Sequence, residues 1–205
     1  MNALRTYRDD GLIADWIGAT AGRALRVGEA PLTLLGAAIL AVALGTAERP
    51  LSELVLAVAV GVVVVVVGAG ARRSHTGRFA WTVPPLLRLL EYAFLIRLTV
   101  LADPDAMPLC FALLCALAFH HYDTVYRLRQ QGVAPPAWTR FIGGGWEGRL
   151  VVFSLLAALD LLAPGMLVAA VVLGAVYVTE SVRSWMHFAR ATRPAVIDDE
   201  EAEDE

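Results

Sequence analysis

The chain has 205 residues, is 58% hydrophobic and has a mean hydropathy of +0.60, which excludes an ordinary soluble domain. It leaves room for about six membrane spans of roughly 20 residues each. The 17 basic residues are all arginine, and the formal charge of −3 rests on the C-terminal DDEEAEDE, which holds seven of the 20 acidic groups. Cys110 and Cys115 lie five apart in an apolar run, off a common helix face, so they read as buried filler rather than a disulfide or metal pair.

In chain order, residues 1–30 contain ALRTYRDDGLIADWIGATAGRALRV, which sets Leu12, Ile13, Trp16, Ile17 and Ala24 near one helical face and Asp9, Asp10, Asp15 and Arg23 outside it. That pattern predicts a cytoplasmic amphipathic helix lying in the interface. Residues 31–188 read as an all-α bundle of six transmembrane helices. The first runs from Pro31 to Ala47 and the second from Leu51 to Ala71, with Arg49-Pro50 as the turn between them. The valine run Val62 to Val67 is helix rather than strand, because a sheet edge cannot be left unpaired in lipid. The third span covers Trp81 to Ala102, the fourth Ala106 to Tyr122, the fifth Arg149 to Ala163 and the sixth Met166 to Phe188, with Pro164-Gly165 turning the chain before the last. Phe119 to Arg149 is expected as a polar loop between the fourth and fifth spans, and residues 189–205 as a disordered acidic tail.

Fourteen arginines fall at the two ends and in the alternate loops on one side, against Arg49 alone on the other, with Arg88 and Arg97 inside a span. The positive-inside rule therefore puts both termini at the cytoplasmic face of the plasma membrane. All five tryptophans fall near that boundary, as an aromatic belt does.

Ionisable groups within spans need a partner or a hydrated cavity. Arg88 and Glu91 are three apart, and so are Glu180 and Arg183; each spacing suits an intrahelical ion pair or the lining of a substrate cavity. Asp160, late in the short fifth span, is expected near the outer water. On the cytoplasmic side, Asp9, Asp10, Asp123 and Glu147 are candidate oxygen ligands for Mg²⁺, and Arg8, Arg127, Arg129 and Arg149 candidate clamps for phosphate. In FIGGGWEGR, Gly144 and Gly145 offer backbone N–H groups to an anion. His120 and His121 are adjacent, so they are expected on different sides of a helix. His121 and Asp123 are the candidates for proton handling or catalysis.

HHYDTVYRLR, GGGWEGR and YRDDGLIADW together resemble, over residues 7–187, an actinobacterial membrane domain of unknown function. That domain is often fused C-terminal to nucleotidyltransferase and CDP-alcohol phosphatidyltransferase domains. The resemblance implies company in phospholipid or polyol-phosphate synthesis. The CDP-alcohol phosphatidyltransferase motif is matched only by Asp10-Gly11-Leu12-Ile13-Ala14. Asp15 replaces its arginine, Ala24 its next glycine, and Gly28 and Leu32 stand where later aspartates belong.

Two functions follow as expectations. One is a phosphotransferase-like membrane protein binding a phosphorylated or CDP-linked head group with Mg²⁺. The other is a noncatalytic module that anchors or pairs with a CDP-alcohol phosphatidyltransferase. Membrane lipid, a phosphorylated small molecule and a second copy of the chain are the expected partners, and nucleic acid is not. A transporter lacks support, since there is no repeat and no pair of interrupted helices in matching halves.

Overall fold

The computed structural model describes residues 3–25, 27–47, 52–73 and 77–191. Among them every regular element is a helix. Four stretches are long and apolar enough to cross a membrane: Glu29–Thr46, Pro104–Gln130, Ala137–Ala158 and Leu162–Ala191.

The N-terminal stretch forms three short helices, α1 (Ala3–Arg8), α2 (Leu12–Ala19) and α3 (Ala21–Ala24), where one continuous amphipathic helix was expected. Asp9 breaks it with a positive φ of 53°, and Gly11 follows in extended geometry. The expected apolar stripe is divided as well. Ile17 packs inward beside Gly68, while Leu12 and Trp16 stay exposed.

Helix α4 (Glu29–Thr46) pairs with α5 (Ser52–Gly68). The valine run is helical, and its spacing explains how it works: Val60, Val63, Val64 and Val67 are buried, while Val58, Val62 and Val65 face outward. The two helices touch where Gly36 meets Val67, at a point where a Cβ would overlap the valine side chain. Helix α6 (Val83–Ala102) starts with Pro84 and Pro85 in its first turn, positions where a missing N–H costs nothing. At the far end Arg97 donates to the carbonyls of Leu44 (3.0 Å) and Ala47 (3.0 Å), closing the last turn of α4.

Helix α7 (Met107–Gln130) continues well past Tyr122, so the segment expected as a loop from Phe119 is helical through its first third. Gly132 then turns with φ of 68°, α8 (Ala137–Gly143) follows, and Gly144 in left-handed geometry admits α9 (Gly145–Ala158). The turn before α10 (Leu162–Ala191) is made at Asp160, which is exposed and has φ of 56°; Pro164-Gly165 instead lie in the first turn of α10. Cys110 is buried and Cys115 exposed, both free. The Arg49-Pro50 turn and the acidic tail from residue 192 lie outside the described residues.

Candidate functional site

The polar side chains gather at the end of the bundle where α1 and α2 meet the starts of α6 and α9 and the ends of α7 and α10. Arg149 on α9 is the centre of the first group. It donates to Asp9 Oδ2 at 2.8 Å, to the carbonyl of Gly143 at 2.9 Å and, through Nε, to Glu91. Arg88 completes the group with Glu91 at 3.1 Å and with the carbonyls of Tyr7 (2.9 Å) and Arg8 (2.8 Å), which end α1. The Arg88–Glu91 pair expected from the sequence is therefore present, and it belongs to a larger network. Burial alone would raise the Asp9 carboxyl, but Arg149, His121 and Arg88 outweigh it and hold the group well below the usual carboxylate range.

Arg8, one turn away, is wholly buried against Asp10 (2.7 and 3.1 Å) and Glu29 (3.3 Å). Its burial opposes the charge, yet Asp10 and Glu29 raise its pKa. Trp146 donates to the same Asp10 at 2.9 Å, so this tryptophan is buried core rather than part of an interfacial belt. Glu147 accepts from the backbone N–H groups of Gly11 (3.0 Å) and Ala14 (3.1 Å). It caps α2, whose own N-cap residue has no side chain to do so. Gly11 fits beneath α9 only as glycine, because a Cβ there would overlap the carbonyl of Gly144. A Cβ on Gly145 would in turn overlap the backbone of Gly11. The glycine run thus packs against the α1–α2 junction instead of presenting an open cradle to an anion.

A second network joins α7 to α10. Arg127 donates to Asp123 (2.6 Å) and to both oxygens of Glu180 (2.8 and 2.5 Å), and Asp123 also accepts from Ser181 (2.7 Å) and Trp185 (3.1 Å). The expected Glu180–Arg183 pair is corrected here: Glu180 reaches across to Arg127, and Arg183 is exposed. Two carboxylates directed at one buried guanidinium satisfy it better than an exposed neighbour on the same helix can. At the surface, Asp15 pairs with Arg72 at 2.5 Å and is held below its usual range by that arginine.

These contacts leave the four proposed Mg²⁺ ligands in three separate places, each facing donors. Among the described residues no three His, Cys, Asp or Glu side chains are grouped to hold a metal ion. Of the four proposed phosphate clamps, Arg8, Arg127 and Arg149 are buried in ion pairs, while Arg129 is exposed.

Arg129 borders an open cavity of about 1050 Å³ lined by α1, α6, α7, α8 and the connection at residues 132–135. Arg5, Arg88 and Arg140 line it as well, and Asp9 is the one carboxylate among its lining residues. Arg129 and Arg140 are exposed and have no hydrogen bond or ion pair within 4 Å among the described residues. His121 borders the cavity too, its ring set between the Tyr92 hydroxyl (2.9 Å) and Asp9 Oδ2 (3.4 Å). Contrary to the expectation from adjacency, His120 lines this same cavity, its ring stacked on Tyr177 with centroids 3.9 Å apart.

Residues 1–203 match the model of a family of unknown function, DUF5941. The chain belongs to that family. No curated protein and no solved structure shows a significant match to this family member.

Reading the residues in order assigned no role to Arg5, Arg140, Tyr92 or Tyr177. Arg5 and Arg140 are 135 positions apart in sequence and line one cavity because α1 packs on α6 and α7. The arginine tally behind the expected orientation already included both. It could not say which of them a carboxylate would neutralise.

Proposed function

We propose that this chain is a six-span protein of the plasma membrane, with both termini in the cytoplasm, that binds a phosphorylated head group in the arginine-lined cavity. In this reading α5, apolar but shorter, and α6, which carries Arg88, Glu91 and Arg97, are the second and third of six spans, and the protein serves phospholipid or polyol-phosphate metabolism. The observation that carries it is the cavity wall: four arginines face about 1050 Å³ of space with a single carboxylate, and that carboxylate is already bonded to Arg149. Guanidinium groups match phosphate oxygens in pairs, and an exposed, unpartnered arginine gives up little to bind one.

Phosphoryl or phosphatidyl transfer is the fuller form of this reading. His121 is then the group for proton handling, because its ring is oriented by Tyr92 and Asp9 while bordering the cavity. Asp123 does not share that position, being engaged with Arg127, Ser181 and Trp185. The carboxylates do not fit a common Mg²⁺ site, so no step is derived through the metal. Mg²⁺ enters as a counter-ion of the ligand's phosphate, the usual manner of its binding.

The test is thermal unfolding of the detergent-purified chain against inorganic phosphate, glycerol phosphate, inositol phosphate and CDP-alcohols, each with and without Mg²⁺. A ligand that binds the native state raises the midpoint by mass action. The expected result is a rise with phosphate compounds that disappears in the Arg129→Gln/Arg140→Gln double variant. No rise, or an equal rise in the variant, overturns the reading.

One observation favours the noncatalytic alternative. The Asp10-Gly11 pair that matches the start of the phosphatidyltransferase motif is fully engaged in packing, with Asp10 on Arg8 and Trp146 and Gly11 beneath Gly144. Co-purification with a CDP-alcohol phosphatidyltransferase, without phosphate-dependent stabilisation, would support that module.

A further inference from the structure

The cavity has an outer and an inner wall of different chemistry. At the outer wall stand the exposed guanidinium groups of Arg129 and Arg140. At the inner wall stands His120, only 6% exposed. Its ring is fixed from one side by the nearly parallel stack on Tyr177, at an interplanar angle of 14°. Neither ring nitrogen makes a hydrogen bond among the described residues; the contact recorded at this residue from Thr124 Oγ1 goes to the backbone carbonyl, at 2.8 Å. Its neighbour differs, since both nitrogens of His121 have partners in Tyr92 and Asp9.

The ring nitrogens of His120 are not among the enclosed polar atoms that lack a partner, so they open onto the cavity, where a hydrogen-bonding group of a ligand can meet them. The stack on Tyr177 favours this orientation of the ring. The two walls therefore ask for different parts of one ligand: anionic oxygens at the arginines and a hydrogen-bonding group deeper in.

We propose that His120 is a specificity residue that hydrogen-bonds a hydroxyl of the ligand, and that the ligand is a phosphorylated polyol rather than a simple alkyl phosphate. This rests on the reading of the cavity as a phosphate site. A polyol presents a hydroxyl to His120 while its phosphate stays between the arginines. An alkyl phosphate of the same length leaves the imidazole unpartnered and loses that discrimination.

The experiment is isothermal titration of the full chain in detergent with three probes: inorganic phosphate, propyl phosphate and glycerol phosphate. The wild type is expected to bind glycerol phosphate about 3- to 10-fold more tightly than propyl phosphate, the span that one neutral hydrogen bond supports. His120→Ala is expected to abolish that preference while leaving inorganic phosphate affinity unchanged. His120→Asn, which keeps a polar group at the site, serves if the alanine variant does not fold and is expected to retain part of the preference. Tyr177→Phe keeps the stacked ring and is expected to behave as wild type. Equal affinity for glycerol and propyl phosphate, or a preference that survives in His120→Ala, overturns the assignment while leaving the phosphate site intact. Failure of all three probes to bind overturns both.

Discussion

Two sets of arginines sit at the same end of this bundle, and they differ in one respect. Arg8, Arg127 and Arg149 are buried, and each is paired with two carboxylates. Arg129 and Arg140 are exposed at the cavity with no carboxylate within 4 Å among the described residues. A guanidinium taken out of water is tolerated only when its charge is met, so burial itself commits the first set to structure. In the second set Arg140 reaches the charge of Asp15 only at longer range, and neither guanidinium is in direct contact with a carboxylate among the described residues. Arginine position along the sequence does not separate the two sets, since Arg127 and Arg129 are two residues apart on one helix.

The strongest way to break the comparison is at Arg149. Arg149→Leu leaves Glu91 fully buried with only Arg88 to meet it, and removes the donor to Gly143 and Asp9. Removing one partner of a buried ion pair costs about 3–5 kcal/mol. A large fall in the thermal midpoint is therefore expected, and part of it should return in Arg149→Leu/Glu91→Leu, which removes both charges. A midpoint unchanged in the single variant would mean that the inner arginines do not organise this end of the molecule.

Two glycines sharpen the same contrast in backbone terms. Gly11→Ala puts a methyl group against the carbonyl of Gly144 and the Glu147 carboxylate, and overpacking of this kind costs about 1–3 kcal/mol. Gly148, in α9 three residues after Gly145, has nothing within 4 Å of a Cβ. Gly148→Ala is expected to stabilise by about 0.5–1 kcal/mol, because a helical glycine loses more backbone entropy on folding. The pair of midpoints should move in opposite directions.

Much of the framework was legible in the sequence. Long apolar runs bounded by proline and glycine located the helices, since backbone groups in lipid must bond within their own segment. The i, i+3 spacing of Arg88 and Glu91 announced their pair. What could not be read was which helix each charge meets. Glu180 is one turn from Arg183 on α10 and bonds Arg127 on α7 instead, and Glu147 caps a helix that begins 135 residues earlier. FIGGGWEGR illustrates the same limit. Its glycines suit an anion cradle and a close backbone crossing equally well, and only the approach of Gly11 decides for the crossing.

The junction at Asp9 connects the two sets and can be probed by pH. Its carboxyl titrates well below the unfolded value of about 3.9, so the stability it contributes is fully present above that value and is lost as pH falls through the folded pKa. Midpoints measured at pH 5, 4 and 3 should fall more steeply for the wild type than for Asp9→Asn. Parallel slopes would show that Asp9 is not held by Arg149 and Arg88.

The smallest expected change in stability is the most informative about function. Arg129→Gln and Arg140→Gln alter exposed side chains with no carboxylate in direct contact among the described residues, and substitutions of that kind usually shift stability by no more than about 0.5 kcal/mol. The same changes remove charge from the cavity wall, leaving Arg5, which is drawn toward Asp15 at 3.4 Å, and Arg88, which is held by Glu91. Phosphate affinity is accordingly expected to fall about tenfold for each, since a charge-assisted hydrogen bond contributes roughly 1.5–3 kcal/mol before water replaces part of it. A melting curve in buffer and a titration with glycerol phosphate on the same preparation separate the two quantities. If both variants melt early and bind normally, the outer arginines are structural like the inner ones, and the distinction between the two sets fails. If they melt normally and bind weakly, the absence of a carboxylate partner is what marks a guanidinium in this family for a ligand.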